Sequence, residues 1–209
     1  MSKEEFDLIY PHMPKTGKLL EIGSYPFKRT QDLIDLGYEV SGVDLNYNKS
    51  QYNVVKCDIE LEKLPFTDNT FDIVLMMQVM EHIGRDPLWA LKEIKRVLKP
   101  TGFFILSTPN FYGLKNFLYI LFKGRQFEIN NYMKHAKRGD FQGHIRTYSK
   151  KELEIFFNYV GFKTREHYYL WFISERCKIG GIISYLLPFF RDWQLFICKG
   201  KDDEEVLQH

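Results

Sequence analysis

The sequence predicts an α/β fold, a doubly wound and mostly parallel sheet with helices on both faces. Three observations predict it. Strand-like and helix-like segments alternate through the first 110 residues. The strand segments are continuous apolar runs, as in strands covered on both faces. Several of them close on a glycine or an aspartate, the residues that turn a chain at the edge of a sheet. A length of 209 residues suits one domain, which can bury roughly 70% of the surface of its unfolded chain without a staple.

The elements follow in order. Lys18 to Ile22 is a short apolar run ending at Gly23, and Thr30 to Leu36 has helical spacing and stops at Gly37. Tyr38 to Val43 is the second strand, closed by Asp44, and Tyr52 to Cys57 the third, closed by Asp58. After the turn-rich Pro65 to Asn69 comes a fourth, Phe71 to Met77. Pro87 to Leu98 is a helix with Asp86 as N-cap, Pro87 at its first position and an apolar face of Leu88, Leu91, Ile94, Val97 and Leu98. Gly102 to Leu106 is the fifth strand. Ser149 caps a helix over Lys150 to Tyr159 ended by Gly161, and Phe162 to Leu170 and Asp192 to Lys199 make seven strands. Right-handed crossovers place the C-terminal ends of the parallel strands on one edge, where ligands bind in open α/β sheets.

Two stretches break the rhythm inside what is expected to be a single domain over residues 1–209. Residues 110–148 are aromatic and basic and are expected to form a lid over the substrate. From Lys123 to Lys151 eight Lys and Arg face two acids, a local charge of +6 in a chain that totals +2. Residues 171–191 form a second, apolar insertion before the last strand, and the acidic tail after Asp202 is expected to fray.

Composition removes several classes. The chain is 44% hydrophobic and 27% charged, an ordinary globular balance, and a net charge of +2 does not mark a nucleic-acid binder. Cys57, Cys177 and Cys198 share no close spacing, which excludes a zinc ribbon or a disulfide framework and points to a reducing compartment. The N-terminus lacks the apolar run of a signal peptide, and the apolar stretch Phe103 to Phe122 is interrupted by Ser107-Thr-Pro-Asn110 and Gly113. The expected location is the cytoplasm. Histidines and cysteines lack ligand spacing, so no metal site is read.

The first strand ends Glu21-Ile-Gly-Ser24. A glycine there lets a ligand approach the backbone, and Glu21 repels phosphates but suits an ammonium group. The G-x-G-x-x-G fingerprint is absent, since Tyr25, Pro26 and Phe27 stand where it would continue, which argues against a dinucleotide. Asp44, 21 residues beyond Gly23, can accept both hydroxyls of a ribose. Asp58 can accept from an adenine amino group with Ile59 packed on the ring. Three acids ending three strands on one edge describe a pocket for an adenosine with a cationic or zwitterionic tail.

The series Glu21-Ile-Gly-Ser24, Gly42-Val-Asp44, Cys57-Asp58, Leu64-Pro-Phe-x-Asp68, Phe71-Asp-Ile-Val-Leu75, Gln78-Val-Met-Glu-His-Ile83 and Leu91 to Gly102 resembles, in order, the motifs of class I S-adenosylmethionine-dependent methyltransferases. The likeness is to the small-molecule branch, with its ubiquinone/menaquinone-type and sugar- or lipid-modifying enzymes. It covers about residues 17–110 and extends thinly to 165 through His144-x-Arg146-x-Tyr148-Ser149 and Val160-Gly-Phe162. The resemblance implies a Rossmann-like seven-stranded sheet whose last strand is antiparallel. It implies S-adenosylmethionine as cofactor, with Glu21, Gly23 and Ser24 at its methionine end, Asp44 and Leu45 at the ribose, Asp58 and Ile59 at the adenine, and Gln78 on the methionine side. The family's second and third glycines are Tyr25 and Phe27 in this sequence, a departure that bears on cofactor affinity.

The implied reaction is displacement at a sulfonium methyl, which needs an in-line nucleophile and exclusion of water. An oxygen nucleophile also needs a base, and His144 and His82 are the candidates, with His135 read as solvent-exposed. Arg146 and Tyr148 are expected at the acceptor. The acceptor is expected to be a small molecule, or one linked to a lipid or glycan, and possible anionic character follows from the basic lid. Nucleic acid is not expected, membrane contact is at most peripheral, and the protein is a monomer or homodimer. The alternative is a catalytically silent domain of this type that serves as a binding scaffold.

Overall fold

The computed structural model describes residues 2–24, 30–46, 53–127, 129, 133, 143–171 and 185–200. Seven strands form one sheet in the order β3-β2-β1-β4-β5-β7-β6. They are β1 (Gly17–Ile22), β2 (Tyr38–Asp44), β3 (Val54–Lys56), β4 (Phe71–Met77), β5 (Leu98–Pro109), β6 (Phe162–Leu170) and β7 (Trp193–Gly200). β1 to β5 are mutually parallel, and β7 is antiparallel to both of its neighbours, β5 and β6. The helices are α1 (Lys3–Ile9), α2 (Thr30–Asp35), α3 (Pro87–Val97), α4 (Leu114–Lys123) and α5 (Lys150–Val160).

The continuous apolar runs are explained by burial on both faces. Leu19, Ile73, Leu75, Ile105, Leu195 and Ile197 point into one core with Ile9 of α1 and Leu33 of α2. Their neighbours Leu20, Ile22, Val74, Met76, Phe104, Leu106 and Phe196 point into the other, against Leu91 and Ile94 of α3 and Leu153 and Phe157 of α5. A side-chain period of two on strands sandwiched by helices gives these two layers.

Helix ends follow their caps. The Asp86 carboxylate accepts from the Leu88 and Trp89 amides at the start of α3. Ser149 and Glu152 form a reciprocal capping box on α5, and Gly161 ends it at φ +88°. An Arg96 hub locks α3 to the preceding loop. Its guanidinium donates to Glu93, to Asp68 and to the carbonyls of Leu64 and Phe66. Those hydrogen bonds, Arg96 first among them, hold the Glu93 carboxyl below its usual range.

Some boundaries differ from the expected ones. α3 stops at Val97 rather than Leu98, because Lys99 precedes Pro100 and such a residue is pushed into extended backbone. The expected Gly102 to Leu106 is the middle of a strand that begins at Leu98 directly from the helix. The third strand spans Val54–Lys56, and Tyr52 lies outside the described residues. No helix is found among the described residues between β3 and β4, where turns lead from Asp58 to Thr70. α4 occupies a stretch that shows little clean periodicity. Of the expected lid and second insertion, residues 130–132, 134–142 and 172–184 lie outside the described residues, as do Tyr25, Phe27 and His135. No helix among the described residues is long and apolar enough to cross a membrane.

Candidate active site

The C-terminal ends of β1, β2 and β3 meet the turns after β3 and β4 at a cavity of about 480 Å³. Its lining includes Gly23, Asp44, Leu45, Asp58 and Ile59 from the expected cofactor set, and His82 from the expected bases. Glu21, Ser24 and Gln78 stand on the same sheet edge but are not among its described lining.

Each position has a local cause. The Gly23 amide donates to the Val43 carbonyl at 2.8 Å and its φ is +69°. A Cβ at this position would lie 2.5 Å from Val79 Cγ2. Both the left-handed backbone and the close approach of Val79 therefore require glycine. The Glu21 carboxylate accepts from the hydroxyl of Thr30, the first residue of α2, at 2.6 Å. Burial raises its pKa above the usual carboxylate value, against the lowering effect of that bond. Asp44 accepts from the Asn46 amide at 2.9 Å and Asp58 from the Glu60 amide at 3.0 Å, two short turns that fix the carboxylates at the strand tips. Ser24 is buried, and its hydroxyl has no hydrogen-bond partner among the described residues.

Gln78 follows β4 with φ +60°, an uncommon conformation for a residue with a side chain. Its amide donates to Ser107 at 2.8 Å, which holds the turn that carries Val79 to Ile83 over the cavity. Glu81 is fully buried and accepts from Thr108 at 3.0 Å. Its carbonyl accepts from the Ile145 and Arg146 amides at 2.8 and 3.3 Å, bringing residues 143–146 beside the turn. His82 Nδ1 donates to the Gly143 carbonyl at 3.2 Å, and His144 Nε2 lies 3.9 Å from Glu81 Oε1. The two imidazoles meet edge to face, with centroids 5.0 Å apart.

The remaining expected positions serve the frame. Tyr148, expected at the acceptor, is 1% exposed and packs in the core beside Phe156, which withdraws its ring from any accessible acceptor surface. Arg146 pairs with Glu152 of α5 at 2.8 Å and lies over the Tyr148 ring. Cys57 lines the cavity, but burial pushes its thiol up to about 11, so it offers no thiolate. Sequence reasoning passed over Glu60, which lines the cavity and accepts from the amides of Gly84 and Arg85 at 3.1 and 2.7 Å. Its place two residues after Asp58 was the available signal.

Gly23 and the carboxylates of Asp44 and Asp58 thus border one cavity, with the buried Ser24 hydroxyl on the same sheet edge. Residues 20–106 match the family model described as "Methyltransferase domain". Over those residues, less than half of the chain, the sequence is similar to methyltransferase domains, and solved S-adenosylmethionine-dependent methyltransferases share its fold.

Relatives narrow the neighbourhood. The chain is 33% identical over 103 residues to ubiquinone biosynthesis O-methyltransferase of Cereibacter sphaeroides, covering 44% of this chain and 41% of that protein. It is 32% identical over 124 residues to O-methyltransferase 3 of Dictyostelium discoideum, covering 56% of this chain and 27% of that one. The matches thus span less than half the length of these curated relatives. The Burkholderia thailandensis 1,6-didemethyltoxoflavin-N1-methyltransferase, solved with its substrate and S-adenosylhomocysteine, shares the fold. Its TM-score is 0.63 at 16% identity, over 96% of this chain and 78% of that one.

Proposed function

We propose that the protein transfers a methyl group from S-adenosylmethionine to an oxygen of a small-molecule or lipid- or glycan-linked acceptor. The observation that carries this reading is a cavity lined by carboxylate-tipped strands and by His82, with the His144 imidazole edge to face on that of His82.

When bound, the cofactor supplies a methyl group activated by a positively charged sulfur. Asp44 would accept from the ribose hydroxyls, Asp58 from the adenine amino group, and Glu21 would face the ammonium end. Ile59, Ile83 and Ile145 give the cavity apolar walls that exclude water. His144, oriented by the buried Glu81, takes the acceptor's proton. Glu81 is in turn held by Thr108, so the imidazole is aimed by a chain of fixed groups. His82 is the second candidate base.

A lipid-linked acceptor gains support from the surface of α4 and residues 185–190. Phe117 and Phe190 join them with ring centroids 5.2 Å apart. On the same two segments Phe122 is 74% exposed and Tyr185 73%, large apolar side chains left open to a contact surface. The basic composition of the sequence from Lys123 to Lys151 favours an anionic acceptor.

Calorimetric titration with S-adenosylmethionine and S-adenosylhomocysteine, followed by labelled-methyl transfer to anionic glycans and lipid intermediates, tests the reading. Micromolar binding with label on an acceptor oxygen is expected. Binding without transfer across the acceptor panel would point instead to the silent scaffold, and absence of binding at millimolar ligand would end the enzyme reading.

A further inference from the structure

We propose that Glu81, His82 and His144 form a binding site for a divalent transition-metal cation of the zinc or cobalt type. One ligand atom from each of the three lies within 4.8 Å of the other two. Two imidazoles and one carboxylate are a donor set that suits Zn²⁺, Co²⁺, Fe²⁺ or Mn²⁺, whereas Mg²⁺ prefers oxygen alone.

The surroundings are those of a supported ligand set. The His82 Nδ1 proton is committed to the Gly143 carbonyl, which leaves the lone pair on Nε2. One Glu81 oxygen accepts from Thr108, and the other faces His144 Nε2 at 3.9 Å. Two backbone amides, of Ile145 and Arg146, tie the segment carrying His144 to the Glu81 carbonyl, so the ligands from distant stretches are held in register. A cation about 2.1 Å from each ligand would draw the Glu81 and His144 atoms together by roughly 0.5 Å, a movement within reach of side-chain torsions. Glu81 is 0% exposed, so a cation held there would sit against a carboxylate shielded from water. His82 lines the cavity, so the ligand set borders it.

The inference rests on the proposed transfer only for where the acceptor sits, and cation binding is measured without it. A bound cation would occupy the imidazole lone pairs otherwise used for proton transfer. It would itself lower the pKa of a coordinated acceptor hydroxyl.

The test is titration of chelator-treated protein with Co²⁺, Zn²⁺ and Mg²⁺, read by calorimetry and by the visible absorption of bound Co²⁺. One equivalent of Co²⁺ or Zn²⁺ is expected, with no comparable uptake of Mg²⁺. His144→Ala and Glu81→Gln should each weaken binding tenfold or more, with circular dichroism confirming the fold. Should the buried Glu81→Gln variant fail to fold, the partly exposed His82→Ala and His144→Ala decide. Lack of a cobalt spectrum overturns the proposal, as does a spectrum unchanged in His144→Ala, which would mean an ion elsewhere. Titration with S-adenosylhomocysteine separates the two ideas: cofactor binding without cobalt binding removes only the cation site, and the converse removes only the transferase reading.

Discussion

One wall of the cavity is made by strand tips between Ile22 and Ile59, neighbours in a parallel sheet, whereas the other joins the Val79–Ile83 turn to the segment at Gly143–Ile145. The first wall inherits its geometry from backbone pairing: Gly23 and Cys57 bond to β2, and short turns fix Asp44 and Asp58. The second depends on side chains, a buried Glu81 and an imidazole-to-carbonyl bond across 61 residues. A wall of backbone is suited to holding an invariant ligand, and a wall of adjustable side chains to chemistry and acceptor choice.

Substitutions can break this division, and the largest effect belongs to the second wall. His144→Ala is expected to lower turnover by about 100- to 10,000-fold. Its affinity for S-adenosylhomocysteine should stay within about twofold, since His144 is not among the residues expected to hold the cofactor. A comparable loss of cofactor affinity would erase the distinction between the walls. Asp44→Ala should act the other way, weakening S-adenosylhomocysteine binding about 30-fold or more through loss of charged hydrogen bonds worth about 2 kcal/mol.

Gly23→Ala sharpens the contrast further. Its φ of +69° and the 2.5 Å approach to Val79 predict a loss of about 1–3 kcal/mol in urea unfolding. A Val79→Ala background should recover the steric part alone.

The smallest expected effect lies at the far edge of the sheet, outside both walls. Burial lowers the His167 imidazole from 6.5 to about 4. The unfolded chain takes up this proton near 6.5 while the folded one resists it, so stability is full above pH 6.5 and falls as pH drops toward 4. A slope of at most about 1.4 kcal/mol per pH unit is expected over that window, and His167→Gln should flatten the dependence. An unchanged slope in the variant would assign the pH dependence to other groups.

Much of the frame was legible because it is written locally. Phe71–Met77 and Phe162–Leu170 are strands at the expected bounds, the first an apolar run after the turn at Asp68–Thr70 and the second rich in aromatic residues after the helix-ending Gly161. The carboxylates at β2 and β3 were legible for the same reason. α4 was not, because it is apolar nearly throughout and leaves Leu118, Leu121 and Phe122 exposed, so its sequence lacks the polar face by which α3 is read. Nor could spacing reveal that Glu81 and His82 meet His144, or that Tyr148 is interior. Those facts come from a tertiary crossing that brings Asn110 beside Tyr148 and the 143–146 segment beneath the turn.

The place of β7 has a consequence for synthesis. β6 is paired through β7 and does not border β5, so the strand made last among the seven is the only link between the sheet's outermost strand and the rest. As the chain leaves the ribosome, β1 to β5 can assemble in turn. The backbone groups of Phe162–Leu170 meanwhile wait for partners until Trp193–Gly200 emerges. In that interval the nascent protein carries an unpaired strand edge, and chaperone protection would matter most there.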